Sequence, residues 1–165
     1  RFIHQQQTRI DLAHAAGLFW WETITPGREA HGELFSYEQL QLTTEITALG
    51  KPLAIERIRL EPQQRDPSSL IRLGSFPYFC SLYICKVGLE PARWLHLEQQ
   101  LSTLAQELSR PEDISWGIST LVAHGLIVRA VSRQGRAITS GLLAFWRAAK
   151  LLLYGQEAIP PRKIY

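Results

Sequence analysis

Up to Val87 the apolar and polar side chains fall into short runs between turn signals and show no helical period, so this half reads as strands. The candidate strands are 5–12, 17–25, 33–47 with a break near Tyr37-Glu38, 53–60 and 78–87. Pro26-Gly27 and Leu49-Gly50 supply turns, and the polar, Pro-containing run 63–69 is the best loop and the one internal seam. The pattern changes at Glu90-Pro91. Trp94, Leu97, Leu101, Leu104 and Leu108 then recur three and four apart, which predicts an amphipathic helix opened by Pro91. Strands follow at 114–122 and 126–132, joined through Ala123-His124-Gly125, and a second helix carries Ile138, Leu142, Phe145, Ala149 and Leu152. The fold class predicted is mainly β with two α-helices: strands first, then an α-β-β-α section, in a single domain over 1–165. Both Leu stripes read as core, because a lone helix is held mainly by packing its apolar face.

Composition narrows the function classes. With 45% hydrophobic and 20% charged residues the chain is ordinary globular material able to bury a core, not a disordered segment. Its net charge of +3 permits weak attraction to acidic partners, but the positives are scattered (Arg57, Arg59, Arg65, Arg72, Arg129, Arg133, Arg136), so no nucleic-acid partner is expected. No apolar run is long enough for a membrane span, and none is expected. Cys80 and Cys85 lie five apart in one strand and so face opposite ways, as two small buried residues rather than a zinc pair or a disulfide.

The candidate chemistry lies with two carboxylates. Alternate residues of a strand share a face. In 17–25 one face reads Leu18, Trp20, Glu22, Ile24, and in 53–60 one reads Ala54, Glu56, Ile58, Leu60. Each acid is the sole charge on an apolar face, whereas Glu45 shares its face with Gln41, Thr43 and Thr47 and reads as solvated. A carboxylate stripped of water needs a proton, a cation or an ion-pair partner. The candidate partners are Arg28, Arg57 or Arg59, or else a wet interior. The five histidines (His4, His14, His31, His96, His124) show no metal-ligand spacing, and His31 and His124 read as turn residues.

Gly27-Arg28-Glu29-Ala30-His31-Gly32-Glu33-Leu34-Phe35 contains more than a turn between two strands requires. Its glycines give backbone freedom, while Arg28 and Glu33 either pair locally or form a partner-contact loop. The run from Leu49-Gly50-Lys51-Pro52-Leu53 through Glu56-Arg57-Ile58-Arg59-Leu60 follows, and the chain closes on Pro160-Pro161-Arg162-Lys163-Ile164-Tyr165. In this order the blocks G-R-x-A-x-G-E-x-F, G-x-P-L-x-x-E-R-x-x-L and a terminal P-P-R resemble the UreD (UreH) urease accessory protein family. The tail departs from the family's P-R-I-W ending, with Lys163 interposed and Tyr165 in place of tryptophan.

The resemblance implies a β-helix-like body of stacked strands with two helices, and a chaperone, not an enzyme, that inserts nickel into apo-urease. It implies a hetero-oligomer with UreF and UreG that docks on urease; with no apolar span and no secretory signal visible, a cytoplasmic location is the default expectation. In that family an acid follows the tryptophan of the strand leading into the first block, and a Glu precedes the Arg of the second; these positions are Glu22 and Glu56 here. The implied role of such acids is to line a water-filled passage for nickel(II), held transiently and not as a tightly bound cofactor. Carboxylates and water suit that task because thiolates or several imidazoles would trap the ion. Arg28, Glu33 and Arg162 are the candidate partner contacts. With Arg1 first and no Met, the chain is expected to be the C-terminal portion of a longer protein, and the isolated piece is expected to aggregate through exposed sheet edges. The competing expectation is a carbohydrate-active enzyme on a β-rich scaffold, with Glu22 and Glu56 as acid and base flanking an open groove.

Overall fold

A computed structural model describes residues 2–28, 33–34, 36–64 and 76–160. The chain runs through β1 (Ile3–Leu12), β2 (Gly17–Ile24), β3 (Gly27–Arg28), β4 (Glu33–Leu34), β5 (Gln39–Ala48), β6 (Lys51–Leu60) and β7 (Tyr78–Lys86). Helix α1 (Pro91–Leu108), β8 (Ile114–Thr120), β9 (Gly125–Ser132) and helix α2 (Gly135–Tyr154) complete it, so the fold is mainly β with two helices and the predicted α-β-β-α close. The expected break near Tyr37-Glu38 separates β4 from β5.

The strands stack as two facing sheets. The first has the order β1-β5-β6, with β1 parallel to β5 and β5 antiparallel to β6; the second is antiparallel throughout, in the order β2-β7-β9-β8. The β5–β6 hairpin turns through Leu49 and Gly50 with φ of 52° and 78°. Two successive left-handed residues match the right-handed twist of the flanking strands, which is why so short a connection closes the pair. Strands β3 and β4 form a separate two-stranded ribbon in which Arg28 stands opposite Glu33.

Two apolar layers sandwich the second sheet. Between the sheets lie Leu12, Ile46, Ala48, Leu53, Tyr83, Cys85, Val87 and Ile127. On the sheet's other face Cys80, Leu82, Ile84, Leu126, Val128 and Ala130 meet Trp94, Leu97 and Leu101 of α1 and Ile138, Leu142 and Phe145 of α2. Because β7 is covered on both faces, its sequence is almost continuously apolar instead of alternating. Cys80 faces the helices and Cys85 the inter-sheet core, as their odd separation predicts; both thiols are free, and burial pushes each up to about 12.

The helices bury the predicted stripes with a shift near the C-terminal end of each; in α2 Leu153 is buried and the predicted Leu152 only partly so. In α1 the fully buried residues are Trp94, Leu97, Leu101 and Ala105, while Leu104 and Leu108 are only partly buried at the edge of the same cluster. Helix α2 ends at Gly155, whose φ of 62° and N–H bond to the Leu151 carbonyl (2.8 Å) close the last turn. Gly141 is buried in α2 because the Trp116 ring of β8 occupies the space a methyl group would take. Trp116 also packs against Phe145 in a tilted arrangement, 5.0 Å between ring centroids.

Candidate functional site

Strand alternation decides where the two acids point. On β2, Leu18 and Trp20 pack into the inter-sheet layer while Phe19 packs on the helix side, so Glu22 also faces the first sheet. On β6, Ala54 is inward and Ile55 is 55% exposed, so Glu56 faces the second sheet. Both acids therefore enter the same inter-sheet space; the face patterns give the inward direction of each, and only the packing of the two sheets brings them together.

The pairing register lines them up. Across the second sheet Glu22 stands opposite Ser81, and Ser81 opposite Arg129; across the first, Thr44 stands opposite Glu56. Hydrogen bonds then tie the two rows together. Thr44 Oγ1 donates to Glu22 Oε2 (2.8 Å), Ser81 Oγ to Glu56 Oε1 (3.1 Å) and Tyr83 OH to Glu56 Oε2 (3.1 Å). Each acid is thus bonded to the residue that stands opposite the other acid. Directly opposed strand residues lie about 5 Å apart, so Glu22, Ser81, Thr44 and Glu56 form one continuous polar layer inside an otherwise apolar core.

Glu56 is the more deeply committed of the two. Its side chain is 10% exposed and forms an ion pair with Arg129 Nη2 at 3.1 Å, whereas the Arg129 side chain is 53% exposed. Burial, with the Glu56 charge adding to it, pushes the Tyr83 hydroxyl well above the ordinary tyrosine range, so it stays protonated and donates. Thr44 and Ser81 are almost wholly buried. Trp20 Nε1, on the same face as Glu22, is buried with no hydrogen-bond partner in the protein.

The structure corrects one expectation about charge compensation. The counter-ion of Glu56 is Arg129, which lies 73 residues further along the chain, and not Arg57 or Arg59. Arg59 instead pairs with Glu61 at 2.7 Å, and both Arg57 and Arg59 are exposed. The Arg28 side chain lies outside the described residues. Thr44, Ser81, Tyr83 and Arg129 escape the sequence reading. Ser81 and Arg129 carry a faint signal, as polar residues interrupting the apolar runs of β7 and β9.

Other candidates are placed differently. The β3–β4 backbone sets Arg28 opposite Glu33, but their side chains, His31 and Arg162 all lie outside the described residues. His124 has a φ of 56° at the β8–β9 turn, and its Nδ1 accepts from the Gly88 N–H at 3.2 Å, which makes it a clamp between two turns. Among the described residues no three His, Cys, Asp or Glu side chains come together as a metal-holding group. The arrangement also differs from a glycosidase pair: the acids face the opposing sheet, and Thr44, Ser81, Tyr83 and Arg129 already engage their oxygens. No helix among the described residues is long and apolar enough to cross a membrane.

Comparison with known proteins gives a consistent answer. The profile of the family described as UreD urease accessory protein matches residues 3–164. A Herpetosiphon aurantiacus protein named urease accessory protein UreD is 44% identical over 163 residues, covering 99% of this chain and 57% of its own length. Proteins of the same name from Pseudomonas fluorescens and Flavobacterium johnsoniae are 32% and 28% identical, over 94% and 91% of this chain and 51% of their own lengths. The chain spans about half the length of the curated relatives it matches. The motif blocks, the strand-rich fold with its two helices and the matched length together place this chain in the UreD urease accessory protein family.

Proposed function

We propose that this chain is part of a non-enzymatic urease maturation chaperone, and that the layer built on Glu22 and Glu56 is a segment of the path by which nickel(II) reaches apo-urease. The observation that carries this reading is the convergence of both acids, from different sheets, on one polar layer between the sheets. Placing two partly buried carboxylates against an apolar layer is costly for stability alone, since apolar side chains of similar volume pack as well or better. The layer offers only oxygen donors: two carboxylates and the hydroxyls of Thr44, Ser81 and Tyr83. Such a set holds a divalent ion loosely and exchanges it with water, as cargo in transit requires.

In this reading the protein works in the cytoplasm as a hetero-oligomer with UreF and UreG and docks on apo-urease, with Arg28, Glu33 and Arg162 in the contact surfaces. The names of the relatives support the urease assignment. Two free, buried thiols fit a reducing compartment.

The test supplies the full-length parent of this chain, as wild type or as Glu22→Gln/Glu56→Gln, to cells that carry the urease genes and lack their own copy of it. The expected result is a variant that still assembles with its partners but yields urease with little nickel and a matching loss of activity. Wild-type nickel content in the variant would make the layer purely structural. Failure of the wild-type protein to restore urease would remove the maturation role itself.

A further inference from the structure

Arg129 stands where the polar layer meets solvent. Strand β6 is an edge of the first sheet, so Glu56 lies beside the open side of the inter-sheet space, and β9 continues the second sheet past β7 on that side. From β9 the guanidinium reaches back to Glu56 Oε1 at 3.1 Å, with its own side chain half in water and that of Glu56 almost wholly buried. Arg129 is thus the solvent-exposed partner of a largely buried carboxylate.

We infer that Arg129 is a displaceable internal counter-ion that keeps divalent metal from settling on Glu56. This rests on the passage proposed above and adds a control element to it. The pair is suited to exchange because a half-exposed ion pair is weak: solvent screens it and side-chain entropy opposes it. A doubly charged ion outcompetes a guanidinium for the carboxylate while it is present, and Arg129 returns when the ion moves on. Without Arg129, Glu56 is a buried carboxylate whose charge nothing offsets, and it retains a divalent ion longer. Arg129 is thus a positioning residue whose removal strengthens metal binding while weakening delivery.

The experiment uses the full-length parent and nickel(II) itself, measured by equilibrium dialysis, alongside the nickel content of urease matured in cells. Arg129→Gln is expected to bind nickel about tenfold more tightly, the size of a close charge–charge effect after solvent screening, and to leave urease nickel-poor. Arg129→Lys keeps the charge and is expected to return both readouts towards wild type. Glu56→Gln/Arg129→Gln is expected to lose the added affinity. A purely structural Arg129 produces no gain in binding, so wild-type affinity in Arg129→Gln overturns the inference, as does a gain that survives in the double variant.

A measurement on the unmodified protein covers the case in which Arg129→Gln does not fold. Nickel is expected to speed phenylglyoxal labelling of Arg129, followed by peptide mapping, because the guanidinium is released from Glu56. Labelling that nickel does not change counts against the inference. The two proposals fail separately. Glu56→Gln alone with fully nickel-loaded urease removes the passage, whereas nickel-poor urease in Glu56→Gln combined with unchanged nickel affinity in Arg129→Gln removes only the role of Arg129.

Discussion

Tyr83 shows how much the polar layer depends on single atoms. It is 1% exposed, fills the inter-sheet core with its ring and donates its hydroxyl to Glu56 at 3.1 Å. Tyr83→Phe keeps the ring and removes one donor from a buried carboxylate, and is expected to lower stability by about 1.5 kcal/mol, read as a lower urea midpoint in the full-length protein. An unchanged midpoint would mean that water replaces the hydroxyl at no cost. Cys80 and Cys85 give a second prediction at this scale. Both thiols are buried and pushed up to about 12, so at pH 8 they remain protonated and are expected to react slowly with a disulfide reagent until urea unfolds the chain. Rapid reaction in the native protein would show that these layers open readily. The inward direction of Glu22 and Glu56 was legible because alternation is a local property of a strand. Their partners were not, because Thr44, Ser81 and Arg129 come from other strands and only pairing register brings them together.

Strand and helix existence followed from period and punctuation, and the ends fall close to the expected ones: β2 stops at Ile24 and β6 begins at Lys51. The α2 stripe of Ile138, Leu142, Phe145 and Ala149 is the buried one, but Gly141 between them carried no readable meaning. From sequence it is only a weak point in a helix; in the fold it makes room for Trp116 of β8. Gly141→Ala is therefore expected to destabilise by about 1–3 kcal/mol through overpacking, outweighing the roughly 1 kcal/mol that alanine gains in helix propensity. A chemical denaturation midpoint decides it, and a rise would show that the helix shifts off the sheet without cost. Sheet order was the least legible feature. Nothing local tells β1 to lie parallel to β5, since the residues between them form other elements and the match is made only when both apolar faces are buried.

At the scale of the whole molecule, the described sheets present β1 and β6 at the edges of one and β2 and β8 at the edges of the other. The β1 edge also exposes Phe2 and Ile3 at 62% and 61%. Open edges with apolar side chains recruit further strands. The isolated chain is therefore expected to self-associate in light scattering as its concentration rises, and a stable monomer would contradict this. The same architecture sets Glu22 and Glu56 on opposing sheets, so one layer exists only when both sheets are docked, and the two acids should act as a unit. The most direct test is a double-mutant cycle in nickel per urease, comparing Glu22→Gln, Glu56→Gln and the pair in the full-length protein, with partner assembly verified for each. A shared path predicts that the double variant loses little more than the worse single one; full nickel loading of urease in the double variant would contradict the account.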